Sequence, residues 1–390
     1  MLYLDHCAST PPWPEVIAAV ADCMGKFYGN PSSLHRLGVE AEGMLIKARE
    51  VTAAALQVKS SQIIFTSGGT ESNNLAIKGA ALTYRSRGRH LITSAIEHAS
   101  VYEVFRQLER EGFQVTYLPV DRTGAVRAED VAAAITRETI LVSVMAVNNE
   151  TGRIQPVAEV GAILRNYPRI VFHVDAVQAL GKLPVHPRNW NADLVSFSAH
   201  KLRGPKGVGG LYCREGLHLE PLHAGGGQEQ GRRSGTENLP LIVGAAKAIR
   251  MAVEQQKQAA MRMYGLREKL ISRLNKIDGL IIHGSEQQQE MAPHMVQFSC
   301  PGYRPEVIIH RLEEKEIYIS SGSACGSGEN KPSRVLTAIG LPEQVASSGL
   351  RVSFSDQYSE ADMELFADEL AHVLTITPRL GELKQGGRTK

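Results

Sequence analysis

Apolar and polar positions alternate along this chain in blocks. Ile63-Ile64-Phe65-Thr66 is a short apolar run ahead of a Gly turn, the signature of a buried strand. Helical spacing follows over about 71–83. His90-Leu91-Ile92-Thr93-Ser94 repeats the strand signature, with a helix predicted behind it at 99–111. Strands are also predicted at 115–118, 140–147, 170–174, 194–197 and 208–213. The run at 140–147 is almost wholly apolar, which predicts a strand covered on both faces. Strand-then-helix alternation of this kind predicts an α/β fold with a mostly parallel sheet.

After Pro240 the pattern changes. Residues 241–275 read as one long helix, with Leu266, Leu270 and Leu274 at i+4 spacing. Shorter strands (280–283, 295–299, 317–320, 350–354) and helices follow, the last helix at about 360–374. This is an α+β pattern. The expected division is a large α/β domain over 15–255 and a small α+β domain from 1–14 plus 256–380, with a flexible tail at 381–390.

Composition narrows the class. A chain of 390 residues favours two domains. Lys plus Arg total 43 against 41 acidic residues, so the net charge of +2 gives no electrostatic reason to expect a nucleic-acid or membrane partner. The first residues lack the basic start and long apolar stretch of a secretory signal. The longest apolar run, 140–147, is far short of the ~20 residues a membrane helix needs. The five cysteines (Cys7, Cys23, Cys213, Cys300, Cys325) are scattered and form no CxxC pair. A disulfide framework or zinc site is therefore not expected, and a reducing cytoplasm fits.

The chemistry-bearing residues fall where predicted strands end, the place where open α/β sheets bind ligands. Ser198-Ala199-His200-Lys201 follows one apolar strand, and a lysine there is poorly placed as a solvated charge. It is well placed to form a Schiff base with pyridoxal phosphate (PLP). Asp175, in His173-Val174-Asp175-Ala176-Val177-Gln178, ends another. PLP acts as an electron sink when a fixed carboxylate keeps its ring nitrogen protonated. A buried carboxylate without a partner would be costly, although Asp175 as a mere helix cap remains the bland alternative. Thr66-Ser67-Gly68-Gly69-Thr70-Glu71-Ser72-Asn73-Asn74 joins a strand to a helix whose N-terminus can hold a phosphate; the alternative is a plain capped turn. Glu97-His98-Ala99-Ser100 offers an imidazole to stack on a flat cofactor or move protons, or simply a capping histidine. Asn148-Asn149-Glu150-Thr151-Gly152 offers amides to a cofactor or a substrate carboxylate, or an Asx turn. Cys325 lies in Ser320-Ser321-Gly322-Ser323-Ala324-Cys325-Gly326-Ser327-Gly328. Small residues cannot bury it, so an exposed, mobile nucleophile is expected. Cys213 and Cys300 read as core cysteines.

With these motifs the chain resembles the cysteine desulfurases, the NifS-like branch of the class V aminotransferases among fold-type I PLP enzymes. The likeness runs from Leu4-Asp5 to about residue 375 and includes Gly225-Gly226-Gly227-Gln228-Glu229 and Arg233-Ser234-Gly235-Thr236. By that resemblance Lys201 is the Schiff-base lysine. His98 stacks on the ring and moves protons, Asp175 holds the ring nitrogen, and Gln178 the ring hydroxyl. Gly69, Thr70, Ser198 and His200 hold the phosphate. Thr236 reaches the phosphate of a neighbouring subunit, which implies a homodimer. Asn149 and Arg351 hold the substrate carboxylate, a task suited to a guanidinium fork. Cys325 accepts sulfur from L-cysteine and is a candidate transient iron–sulfur ligand; no metal is required.

The cysteine segment resembles the longer-loop branch of the family, with 326–333 as extra length. It departs from the usual pattern after the cysteine, which leaves the acceptor open: an iron–sulfur scaffold, a tRNA-thiolating enzyme or another thiotransferase. Rival readings are a PLP aminotransferase, which has no use for a loop thiol, and a selenocysteine lyase, which relative turnover of the two amino acids would separate. A non-catalytic sulfur relay would lack Lys201 or Asp175. A nucleotide-binding protein would carry the phosphate-loop lysine absent here.

Overall fold

The computed structural model of the protein describes residues 1–322 and 332–380. Cys325 and the tail 381–390 lie outside the described residues.

Seven strands form the larger sheet, in the order Ile63–Thr66, Gly209–Cys213, Leu194–Ser198, Val171–Asp175, Thr139–Ser143, His90–Ser94, Gln114–Leu118. Gly209–Cys213 runs antiparallel to both neighbours, and all other pairings are parallel. Six strands therefore end at the same edge. The sheet is sandwiched between apolar clusters on its two faces, with Val142, Phe172, Val174 and Val195 on one side and Leu91, Leu141, Val171 and Leu194 on the other. This two-sided burial is why the strands read as unbroken apolar runs rather than alternating ones.

Two expectations are corrected. The strand over 140–147 stops as a ladder element at Ser143. Residues 144–147 remain buried, but the Met145 N–H turns to the Glu97 carboxylate (3.0 Å) instead of a neighbouring strand. An apolar run reports burial, and burial continues past the point where pairing with His90–Ser94 ends, while on the other side the Val144 and Ala146 N–H groups still donate to the His173 and Asp175 carbonyls. The expected strand at 317–320 also divides, with Ile317–Tyr318 pairing with Leu2–Tyr3 and Ser320–Ser321 joining the smaller sheet.

That smaller sheet is antiparallel, in the order Ser320–Ser321, Gly349–Ser353, Met295–Ser299, Ile281–His283. A second core lies behind it, built from Leu2, Leu4, Val296, Phe298, Leu350, Val352, Phe366 and Leu370 among others. The 36-residue helix Leu239–Leu274 serves both cores. Leu239, Ile242, Ala246 and Ile249 pack on the larger sheet, whereas Met263, Leu266, Leu270 and Leu274 enter the second core. At 1.5 Å per residue it spans roughly 54 Å. The first ten residues connect the same two regions. Leu2 and Tyr3 pair with Ile317 and Tyr318, the Cys7 N–H donates to Ser353 Oγ, and the Thr10 hydroxyl donates to the His200 carbonyl (2.6 Å).

Candidate active site

A cavity of about 820 Å³ opens at the shared strand-end edge. Five of the six strand ends supply part of its wall. Gly69 and Thr70 follow Ile63–Thr66, His98 follows His90–Ser94, Asn149 and Glu150 follow Thr139–Ser143, Asp175 and Gln178 end Val171–Asp175, and Ser198, His200 and Lys201 end Leu194–Ser198. Cys7 and Ala8, Gly322, Pro332–Arg334 and Arg351 close the other side. A second cavity of about 560 Å³, lined by Arg87, Arg137 and Arg169, contains none of the residues singled out from sequence.

Lys201 sits in a 3-10 turn that ends its strand abruptly, which aims the side chain into the cavity. Its Nζ donates to the carbonyl oxygens of Cys7 and of Ala8, the latter at 2.7 Å. Lys182 donates to the Lys201 carbonyl from behind, and burial, with the charge of Lys201 adding to it, pushes the Lys182 amine down to about 8.

Asp175 and His98 belong to one hydrogen-bonded chain. Asn73 Nδ2 donates to Asp175 Oδ2 (2.8 Å) and to Ser100 Oγ (2.9 Å). The Val177 N–H donates to Asp175 Oδ1 (2.9 Å). Ser100 Oγ lies 2.7 Å from His98 Nδ1, and the Ser100 N–H donates to the same nitrogen (3.1 Å). Since Asn73 donates to the hydroxyl, the hydroxyl proton is left for Nδ1, and the imidazole proton belongs on Nε2. Burial above all lowers the His98 pKa; Lys201, Arg334 and Arg351 add to this and Asp175 opposes it. The ring is therefore neutral at neutral pH.

The phosphate candidates are arranged as an anion cradle. Gly68 takes φ 155°, ψ −177°, backbone essentially reserved for glycine, and leads into the helix Gly69–Tyr84, whose N-terminus meets the cavity. A Cβ on Gly69 would lie 2.8 Å from Val177, so the backbone there approaches as only glycine can. Ser198 Oγ and His200 Nδ1 are buried without a partner among the described residues. Burial, helped by Lys201, Lys206 and Lys182, lowers His200 to about 4. Two orphaned polar atoms beside a helix N-terminus fit a bound phosphate, which would supply the missing partners.

Arg351 is on the inner face of its strand, since Leu350 and Val352 point into the second core. It donates to the Asn149 carbonyl (2.7 Å), Asp5 Oδ1 (2.9 Å) and Ser320 Oγ (2.9 Å). Asn148 forms the Asx turn, accepting from the N–H groups of Glu150 and Thr151 (both 2.9 Å), so of the two amides only Asn149 lines the cavity. Gln178 lines it too, with Nε2 donating to the Cys7 carbonyl (3.1 Å). Thr236 is not brought to this cavity; it is exposed on the Gly-rich segment beyond. Cys213 and Cys300 are buried, their thiols pushed up to about 11 and about 12 by desolvation.

Several contributors were not assigned roles from sequence. Asn73, Ser100 and Glu150 stood inside quoted motifs, and their spacing from strand ends was the available signal. Ser320 and Ser333 bounded the quoted cysteine segment, and Asp5, Cys7 and Arg334 gave no signal for a role.

Comparisons with known proteins agree with this geometry. The family described as aminotransferase class-V matches residues 2–366. A NifS/IcsS protein homolog from Lactobacillus delbrueckii subsp. bulgaricus is 46% identical over 98% of this chain and 100% of its own. Cysteine desulfurase IscS from Dictyoglomus turgidum is 41% identical, covering 98% of each chain. A solved NifS-like protein superposes with a TM-score of 0.90 at 39% identity, covering 96% of this chain and 100% of that one. With a cavity of this make-up and likeness over nearly its whole length, the chain belongs to the aminotransferase class-V family, in its NifS/IscS-like branch.

Proposed function

We propose that this protein is a PLP-dependent cysteine desulfurase that converts L-cysteine to L-alanine and leaves the sulfur as a persulfide on Cys325, for transfer to an acceptor protein. One observation carries the reading: a lysine amine, a hydrogen-bonded carboxylate, a neutral imidazole and a buried arginine converge on one cavity.

Lys201 would hold the cofactor's aldehyde carbon, Asp175 its ring nitrogen and Gln178 its ring hydroxyl. Gly69, Thr70, Ser198 and His200 would hold its phosphate. Bound there, the cofactor supplies an electron sink for charge developing on the substrate. The chain's own residues do the rest. Arg351 and Asn149 orient the substrate carboxylate. Lys201 takes the proton from the substrate α-carbon. His98 presents its Nε2 proton over the reacting atoms, and Asn73 and Ser100 fix that tautomer. The Cys325 thiolate attacks the substrate sulfur, so an S–S bond forms as the C–S bond breaks. The electron pair of the broken bond stays on the carbon side and is protonated there, giving alanine. The balance is cysteine plus thiol to alanine plus persulfide, with no external oxidant.

Exposed Thr236 fits a role at the phosphate site of a second copy, and a homodimer with shared sites is part of this reading. The division into 15–255 and 1–14 plus 256–380 goes with it, the first holding the cofactor and the second bearing Cys325. Among the described residues no helix is long and apolar enough to cross a membrane; the cytoplasmic setting rests on the scattered cysteines and is part of this reading.

Two variants test the reading. Lys201→Ala should lose turnover and the borohydride-fixable attachment of the cofactor. Cys325→Ser should keep the absorbance response to L-cysteine and form no persulfide. Sulfide release at the normal rate from Cys325→Ser would place the nucleophile elsewhere.

A further inference from the structure

Glu150 is buried in the cavity wall, one residue after Asn149. Its Oε2 accepts a hydrogen bond from the Ser333 hydroxyl. On the other side, a Cβ built on Gly322 would stand 3.2 Å from the same oxygen and 3.0 Å from the Gln297 amide. With its amide turned so that nitrogen donates, Gln297 bonds the Glu150 carbonyl (3.0 Å). One carboxyl oxygen thus bonds the later described flank of residues 323–331, the stretch that contains Cys325, and faces the earlier flank where a side chain on Gly322 would crowd it. The next residue, Arg334, donates to the carbonyls of Ala95 and Glu97 and lies 4.0 Å over the Tyr102 ring. That fastens the later flank to the turn leading into His98.

A carboxyl used only as filler is an expensive choice in such a place, because burial penalises its charge. Burial raises Glu150 to about 7, opposed by the Ser333 hydroxyl and by the charges of Arg351 and Arg334. Arg351, the candidate site for the substrate carboxylate, therefore acts electrostatically on the group that holds Ser333.

We propose that Glu150 is a positioning residue for the sulfur-accepting thiol: its carboxyl holds the later flank of the Cys325 segment through Ser333 and faces the earlier flank at Gly322, at the cavity wall beside the arginine that receives the substrate carboxylate. This rests on the desulfurase reading above. Glu150 takes no part in activating the substrate, which is the work of Lys201, Asp175 and His98. The two stages are separately measurable.

The test uses the full-length holoenzyme mixed with L-cysteine in a single turnover. Stopped-flow absorbance of the bound cofactor follows substrate activation, and quenched samples analysed by mass spectrometry follow persulfide on Cys325. In Glu150→Ala the absorbance phase should stay within about 3-fold of wild type. Persulfide formation should slow by about 10- to 100-fold, the scale of a misplaced reacting group. Glu150→Gln, which can still accept from Ser333, should recover most of that loss. Equal slowing of both phases in Glu150→Ala, or persulfide formation at the wild-type rate, would overturn the proposal. If Glu150→Ala does not fold, Ser333→Ala carries the same test, and an unchanged persulfide rate there overturns it. Wild-type enzyme that turns over cysteine without persulfide on Cys325 would instead bring down the functional reading, and this proposal with it.

Discussion

The two walls of the cavity are built differently. The sheet-side wall holds Asp175, His98, Ser198 and Lys201 at the ends of three strands, with Asp175 and His98 joined through Asn73 and Ser100, each on the helix that follows a sheet strand. The opposite wall joins positions far apart in sequence: Arg351 to Asp5 across 346 positions, Ser333 to Glu150 across 183. The first wall is suited to holding a flat cofactor fixed. The second gathers the groups for the substrate carboxylate and the flanks of the sulfur-accepting segment. The difference separates cofactor chemistry from substrate handling, and perturbing each wall should give a distinct kinetic signature.

The largest effect is expected on the sheet side. Asp175→Asn removes the negative charge that Asn73 and Val177 hold in place. It should lower kcat by about 10²-fold or more, the scale of losing one fixed electrostatic contact, and shift the pH titration of the cofactor absorbance. The KM for cysteine should change by less than about 3-fold, because the far wall is untouched. A change confined to KM would dissolve the distinction between the walls.

An intermediate effect is expected from Asp5→Asn. Arg351 is 4% exposed and Asp5 18% at the side chain, so their 2.9 Å pair is largely desolvated. Removing one charge of a buried pair strands the other, but Arg351 keeps Asn149 and Ser320. The KM for cysteine should rise by about 10-fold and stability should fall by about 2 kcal/mol, below the range for a fully stranded charge. The cofactor absorbance without substrate should stay as in wild type. A shifted absorbance with KM unchanged would sink the assignment of Asp5 to substrate handling.

These contrasts also mark what was legible in the sequence. Lys201, Asp175 and His98 could be placed because each follows an apolar run by a few positions, and strand ends in parallel sheets share an edge. Both sheets and the long helix followed from the same periodicity. The end of the strand at Ser143 was hidden, because burial of 144–147 continues where pairing on the His90–Ser94 side gives way to the Glu97 carboxylate. Asp5, Cys7 and Arg334 carry no local pattern at all. Their roles come from tertiary contacts, two of them through backbone carbonyls that any residue possesses: Cys7 offers its own oxygen to Lys201, and Arg334 seeks those of Ala95 and Glu97.

The smallest effect sharpens the sheet-side wall. Glu97 is fully buried, accepts from Ser94 Oγ (2.6 Å) and from the Met145 N–H, and is raised to about 8 mainly by burial. An unfolded glutamate titrates near ~4.3, so between that value and about 8 the folded protein binds the extra proton. Stability contributed by this group is complete below the unfolded value and is lost as pH rises through about 8. Glu97→Gln should abolish that slope. The thermal midpoint of wild type relative to Glu97→Gln should fall by a few degrees from pH 5.5 to pH 8.5. Parallel pH profiles of the two proteins would mean that Glu97 is charged in the fold.

The first ten residues have a consequence for biogenesis. They leave the ribosome well before the surfaces that receive them (Ile317–Tyr318, Arg351 and Ser353). Contacts this distant along the chain are slow to form. The Cys7 and Ala8 carbonyls are therefore held against the Lys201 amine only once the chain through Ser353 has been made, and a nascent polypeptide should acquire its vitamin B6 cofactor no earlier than that.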